Sequence, residues 1–490
     1  MKIIKENMFF YISLFFIFLL SVYAGLADYD YYWQADLGKA IVNNGDFHHA
    51  TNQLWGSIGV YEYYDHEWLT NVIFYLFSCF GMKGAFWLKF LISSVVGFIV
   101  CLFVSELEER KSLNVIKRFQ VLFVSSLISL IFIKIKAYSV SLCFLMVELI
   151  ILFHYFADIH CSNVADTLAL KKRHKNMWTY TLFMVILTIL WTNMHSGSMP
   201  LLFVVAGLFW LVKVRNKHML ATGVICAITT LINPYGIKLI LFNFSHNFDS
   251  TMKEILLDWQ PIDAKTTLGV ICYVIIFLLI INLVSVKRKD WFIILLSCAI
   301  LYLSFTSARH LLYLFPLVLI VIADGTLLSK VSERFECEFR YFSLFIISLF
   351  FLVSFSTYTN KDFNRDYMMI YHDEELFTLV KQYGYEGLYN MDFPYSGFPM
   401  FETGAYPMCS DRVKDSFIIS NRGSDLNRKD LINYYGLNKF LFVKWNIDIS
   451  YYQLTNGLYD YLSTNDDYIK LYDSDWYCYF VRKDILNETE

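Results

Sequence analysis

Residues 8–30 read MFFYISLFFIFLLSVYAGLADYD, an uncharged run that ends in Asp28-Tyr29-Asp30. The apolar part, Met8 to Leu26, is close to the ~20 residues an α-helix needs to cross a bilayer. Lys2 and Lys5 precede it, as in a signal peptide, but no clear small-x-small cleavage site follows, which predicts a retained first span. Carboxylates where a chain leaves a bilayer are costly unless they serve a water-filled, protein-lined cavity. Here the acidity persists. From Asp28 to Glu67 stand seven carboxylates (Asp28, Asp30, Asp36, Asp46, Glu62, Asp65, Glu67) against one lysine, Lys39. This loop is the first candidate for an active site.

The whole chain has the same apolar character. Of its 490 residues, 57% are hydrophobic and 17% charged, against roughly 45–50% and about 25% in soluble domains. The composition predicts a polytopic membrane protein, so the placement of charges says more than the net value of -3. Runs able to span lie at about 8–26, 84–105, 117–133, 138–157, 178–194, 198–213, 219–233, 267–286, 291–307, 311–328 and 341–356. Leu69 to Phe80 is too short to cross and ends at Gly81, which suits an interfacial or re-entrant helix. With eleven spans and the N-terminus inside, the basic clusters all fall inside: Arg110-Lys111, Lys117-Arg118, Lys171 to Lys175, Lys213 to Lys217, Lys287 to Lys289, and Lys330 with Arg334 and Arg340. Counting 69–80 as a span would invert most of them.

That topology gathers the unusual polar groups on the outer side: the acidic loop, Lys134 and Lys136, Asn193-Met194-His195, Asn233-Pro234-Tyr235-Gly236, Asp258-Trp259 and Arg309-His310. After Phe355 the chain turns polar and Tyr-rich. The expected organisation is an α-helical transmembrane domain, 1–356, with an outer loop at 27–68, and a small soluble α/β domain, 357–490, on the outer face. Within the latter, Glu374 to Tyr383 reads as an amphipathic helix, Lys439 to Lys444 as a strand, and 468–472 with 476–482 as a hairpin across Asp473-Ser474-Asp475. Cys409 and Cys478 share this region and could pair. Nothing in the charge pattern calls for a nucleic-acid partner.

Several constellations could carry chemistry. In an extended exit segment Asp28 and Asp30 would point the same way, able to act as general base or to hold a divalent metal; a plainer account makes them marks of a helix end. In Asp65-His66-Glu67-Trp68, Asp65 could cap the 69–80 helix and Trp68 anchor it at the interface, which leaves His66 beside Glu67 without a bland explanation. Lys136, Arg309 and His310 sit at outer helix ends, where cations can snorkel to headgroups or bind the phosphate of a lipid-linked substrate. Asn193 and His195 close a span, and Asn233 to Gly236 is a turn signal.

Together these islands resemble the GT-C superfamily of integral-membrane glycosyltransferases, which use polyprenyl-phosphate sugars. The nearest likeness is a bacterial branch with Asp-x-Asp-x-x-Trp and His-Glu-Trp-Leu in the first outer loop, here Asp28-Tyr29-Asp30-Tyr31-Tyr32-Trp33 and His66-Glu67-Trp68-Leu69. It continues, in order, through Trp191 to Gly197, Asn233 to Gly236, Asp258-Trp259-Gln260-Pro261, Arg309-His310 and Ser410-Asp411-Arg412. Relatives tend to have Arg-Pro at Lys136-Ala137 and Glu-Trp at Asp258-Trp259. The resemblance implies a bacterial cytoplasmic (inner) membrane enzyme with a cytoplasmic N-terminus and an extracytoplasmic C-terminal domain. A first-loop Asp, Asp28 or Asp30, would deprotonate a glycan, lipid or protein acceptor, and the sugar would transfer with inversion as polyprenyl phosphate leaves. Lys136, Arg309 and His310 would meet the phosphate, while Asp65, His66, Glu67 and Trp68, with Asn193, His195, Tyr235 and Asp258, would line the substrate site. A divalent cation, Mg²⁺ or Mn²⁺, would be held by Asp28, Asp30, His66 and Glu67 if one takes part. An O-antigen-type polymerase or ligase is the nearest rival. A secondary transporter would need broken mid-membrane helices and internal repeats, and the sequence has neither.

Overall fold

The computed structural model describes residues 7–24, 30–48, 64–111, 113–156, 176–247, 261–286, 289–326, 373–390, 401–403, 432–433, 436–443, 453–475 and 477–489. In chain order the helices are α1 (Met8–Leu20, extended by a 3-10 turn Ser21–Ala24), α2 (Asp30–Asn44), α3 (Trp68–Ser78), α4 (Met82–Arg110), α5 (Val115–Ile131), α6 (Ala137–Phe156) and α7 (Met177–His195). There follow α8 (Pro200–Phe209, continued by a π turn Trp210–Val214), α9 (Lys217–Thr229), α10 (Ile237–Asn247), α11 (Thr267–Ser285), α12 (Trp291–Thr306), a 3-10 helix Ala308–Leu314 and α13 (Phe315–Asp324). The C-terminal region holds α14 (Glu374–Tyr383), β1 (Leu388–Asn390), β2 (Lys439–Val443), α15 (Gln453–Thr464), β3 (Tyr468–Asp473), β4 (Tyr477–Arg482) and α16 (Lys483–Thr489). The chain divides into two compact units: 1–26 with 83–249 and 256–362, and 27–82 with 250–255 and 363–490.

The first unit is helical. Among the described residues, α4, α6 and α7 are long and apolar enough to cross a membrane. The other apolar helices are shorter, and the 341–356 run lies outside the described residues. The two faces of α4 show how a span is made. Leu88, Ile92, Val96, Val100, Phe103 and Leu107 are buried, while Trp87, Leu91, Val95, Phe98 and Leu102 are exposed. Both sets recur at helical spacing, and an uninterrupted exposed apolar stripe suits lipid rather than water. Gly97 lets α1 approach, since a Cβ there would meet the Phe18 Cβ at 3.0 Å. At the centre, α13 is buried from Phe315 through Ala323 and packs on α5 and α11. A helix apolar all round belongs inside a bundle.

Basic residues assigned to the inner loops are paired with carboxylates. Glu108 accepts from Arg118 (2.8 Å), the Tyr11 hydroxyl (2.7 Å) and Asn7 (3.2 Å). Arg110 pairs with Glu106 at 2.7 Å, Lys111 with Asp324 at 3.5 Å, and Lys213 with Asp290. Lys117 donates to the Ala323 carbonyl at 2.6 Å, at the C-terminal end of α13, where a cation meets the negative end of the helix dipole.

The second unit joins a helical hairpin to a four-stranded sheet. In the hairpin, α2 and α3 touch at the backbone: a Cβ on Gly38 would lie 2.0 Å from the Asn71 carbonyl oxygen. The sheet order is β1-β2-β4-β3, with β1 parallel to β2 and the other pairs antiparallel. Phe440 sits opposite Phe480, Phe442 opposite Cys478, and α15 covers this face with Leu458 and Leu462. Cys478 is buried in this core, packed as a small side chain, and Cys409, its partner in the pairing considered from sequence, lies outside the described residues.

Candidate active site

Each unit carries a polar cluster of its own. In the second unit, Asp30 opens α2 where an extended segment was expected. As the first helical residue it lies at the positive end of the helix dipole, a favourable place for a carboxylate. Asp28 lies outside the described residues. One turn on from Asp30, buried Gln34 donates its amide to the Glu67 carboxylate. The second Glu67 oxygen is 3.6 Å from His66 Nε2. Asp65 is buried and satisfied: one carboxylate oxygen accepts from the Glu67 N–H (3.0 Å), the other from Asn71 Nδ2 (2.8 Å). Asp65 therefore braces the turn into α3 without capping it, since the N-cap position is taken by Glu67, and Glu67 and His66 are the groups it presents. Trp68 packs edge-on against Phe47, 5.6 Å between ring centres.

The hairpin is also tied to the C-terminal region within this unit. The Tyr32 ring lies 5.4 Å from that of Phe401, and the Lys39 ammonium sits 5.0 Å above the same ring. The Tyr385 hydroxyl donates to the Thr403 carbonyl. Burial pushes the Tyr32 phenol up, so it stays neutral.

In the first unit the polar groups converge on the end of α7. His195 Nδ1 and the Ser141 hydroxyl are 2.6 Å apart, and Trp191 Nε1 donates to the same hydroxyl at 2.9 Å. Ser141 stands one turn inside α6, whose first residue follows Lys136. A lysine at a helix N-terminus adds to the positive end of the dipole, a combination that favours an anion. The 3-10 helix carrying Arg309 and His310 packs against α6, and both residues act electrostatically on His195. His310 Nδ1 is 3.2 Å from the Leu303 carbonyl, and the Tyr313 hydroxyl meets Ser198 at 2.6 Å. Arg309, His310 and His195 thus form a corner dense in cationic and hydrogen-bonding groups, and Lys136 stands just before the N-terminus of α6, which carries Ser141. Asn193 is used differently. Its amide donates to the Ile189 and Ile232 carbonyls (2.7 and 2.9 Å), holding α7 to the end of α9. Tyr235 belongs to the Asn233 turn, where Gly236 takes a positive φ of 55°. Asp258, Asp411 and Arg412 lie outside the described residues. Gln34 and Ser141 went unmarked in the sequence because neither stands in a motif; only contact with Glu67 and His195 singles them out.

No protein-family model and no characterised protein matches the sequence. Among solved structures, the chain is similar to the oligosaccharyltransferase of Archaeoglobus fulgidus, crystallised with an acceptor peptide containing the NVT sequon tethered through a disulfide. The TM-score is 0.58 at 9% identity, over 91% of this chain and 70% of that one. A likeness of this extent shows the fold alone: the chain folds like that oligosaccharyltransferase, with three helices long and apolar enough to cross a membrane among the described residues.

Proposed function

We propose that the protein is an integral-membrane glycosyltransferase that moves a sugar from a polyprenyl-phosphate donor to an extracytoplasmic glycan, lipid or protein acceptor. The observation that carries this reading is the fold shared with an archaeal oligosaccharyltransferase over nine-tenths of the chain, in a molecule whose units hold an acidic hairpin and a cationic corner. The positive-inside pattern of the basic loops supports an extracytoplasmic acceptor. Asp28 or Asp30 removes the acceptor hydroxyl proton, and the oxygen attacks the anomeric carbon with inversion. The bond from that carbon to the phosphate oxygen breaks, and polyprenyl phosphate leaves with the electron pair. Lys136, Arg309 and His310 stabilise the charge that develops there. Glu67, held by Gln34, and His66 with Trp68 bind the acceptor or sugar, and Asn193, His195, Tyr235 and Asp258 are further substrate-binding residues.

A divalent cation suits part of this set. Asp30, Glu67 and His66 offer carboxylate and imidazole donors of the kind that Mn²⁺ and Mg²⁺ accept, whereas both Asp65 oxygens are already taken by protein donors. Such an ion would offset negative charge on the donor phosphate. The test of donor class is to supply purified full-length protein in lipid vesicles with a sugar on polyprenyl phosphate, on polyprenyl diphosphate or on a nucleotide. Turnover of the monophosphate donor supports the reading, and turnover of the nucleotide sugar alone refutes it.

A further inference from the structure

Glu148 lies near the middle of α6, one of the membrane-crossing helices, and is completely buried. The sequence motifs do not include it and the proposed transfer reaction does not use it. Around it the three packed helices α6, α7 and α9 present polar side chains at helical spacing: Ser141 and Glu148 on α6; Thr181, Thr188, Thr192 and His195 on α7; His218, Thr222 and Cys226 on α9. They form a seam. At one end Thr181 Oγ1 is 2.9 Å from His218 Nε2 and 2.8 Å from Thr222 Oγ1. Near the middle, the Thr188 hydroxyl donates to the Met184 carbonyl of its own helix at 2.7 Å, and Glu148 lies close enough to Cys226 and Tyr180 to act on both electrostatically. At the other end stand Ser141 and His195.

Polar side chains between membrane helices commonly serve as glue, and Thr181, Thr188 and Thr222 fit that account. Glu148 does not, because neither carboxyl oxygen has a hydrogen-bond partner. The buried hydroxyl of Thr192, one turn from Thr188 toward His195, is likewise unpartnered. An ionised carboxylate without a partner at that depth is far costlier than the neutral acid. The titratable groups facing it are Tyr180 from α7 and Cys226 from α9, while α8 offers the backbone at Ala206; none of these supplies a cation.

We infer that Glu148 is an exchangeable proton-binding site inside the membrane, reached along the α6–α7–α9 seam. The ligand is a proton: it adds to one carboxylate oxygen to give the acid, and nothing is oxidised or reduced. This inference does not depend on the sugar donor. The experiment is difference infrared spectroscopy on the full-length protein in lipid vesicles. The protonated-carboxyl stretch lost in Glu148→Gln is expected to be present at neutral pH, to shift within the mixing time on transfer to D₂O, and to shift at least tenfold more slowly in Thr188→Val. If the stretch is absent at neutral pH, the group is ionised and the inference falls. If it is present but does not move in D₂O, Glu148 is a sealed structural acid and the inference also falls. Should Glu148→Gln fail to fold, carbodiimide labelling of the unmodified protein with peptide mass mapping replaces the assignment: an adduct on Glu148 at neutral pH supports it, and none overturns it.

Discussion

Gly38→Ala is expected to disable the acidic hairpin without touching any charged group. The added Cβ would stand 2.0 Å from the Asn71 carbonyl oxygen, 2.5 Å from its carbon and 2.9 Å from the Tyr75 Cβ. Two of these are backbone atoms of α3, so no side-chain rotation relieves the clash, and the helices must part by more than an ångström. Overpacking of this kind costs about 1–3 kcal/mol. The Asn71–Asp65 bond that braces the turn lies on the same segment, and leaving a buried polar group unsatisfied costs about 1–3 kcal/mol more. Together these give a loss of about 2–6 kcal/mol in this unit, which a helix-propensity gain of about 1 kcal/mol for replacing Gly with Ala reduces to a net of about 1–5 kcal/mol. Glycosyl transfer should fall more than tenfold while the protein still inserts, and limited proteolysis should reach the 30–78 region first. Proteolytic resistance and turnover both equal to those of the parent protein would refute the close-contact reasoning.

Asp30→Asn should lower transfer by about 10²–10⁴-fold if Asp30 is the base, with donor binding retained; parental turnover in both it and Asp28→Asn would remove the base from this loop. Lys136→Ala and Arg309→Ala should raise the donor KM more than the acceptor KM, because a charge-assisted contact to phosphate is lost, and unchanged donor saturation in both returns these residues to headgroup snorkelling. Tyr472→Phe should destabilise the C-terminal sheet by about 1 kcal/mol, since its hydroxyl donates to both Asp373 oxygens (2.8 and 2.7 Å), the residue that caps α14. Desolvation, aided by that bond, pushes the Tyr472 phenol up to about 12 from 10.0. The unfolded chain therefore loses this proton first. The contribution is intact below pH 10 and is lost as pH rises toward 12, a decline that chemical denaturation should detect in the parent and find reduced in Tyr472→Phe.

Periodicity was legible where one face alone decides the structure. Glu374 to Tyr383 is helical as its amphipathic pattern predicts, and the hairpin closes across Asp473-Ser474-Asp475. Helix α2 was not legible: Asp30 to Asn44 is rich in aromatic and β-branched residues with a glycine in the middle, a poor helix former by propensity. It is helical because Gly38 lets α3 pack against it, a tertiary cause that no local pattern reports. The site divides the same way. The motif residues Asp30, Glu67, His195 and Arg309 could be picked out by type, but the partners that orient them, Gln34 and Ser141, are common residues made specific only by contact. Asp65 reads as a chemical candidate in sequence, yet its oxygens are committed to the α3 turn. Glu148 was visible as the one carboxylate in the 138–157 run, but its lack of a partner is a property of packed helices.

The central claim is transfer from a polyprenyl-phosphate sugar by a first-loop carboxylate. Its most direct test is release of polyprenyl phosphate in vesicles containing donor, acceptor extract and either the parent protein or the Asp28→Asn and Asp30→Asn variants. Release by the parent protein, matched by a glycosylated product of inverted anomeric configuration and lost in at least one variant, is the predicted result. No release by the parent protein, or release undiminished in both variants, would contradict it.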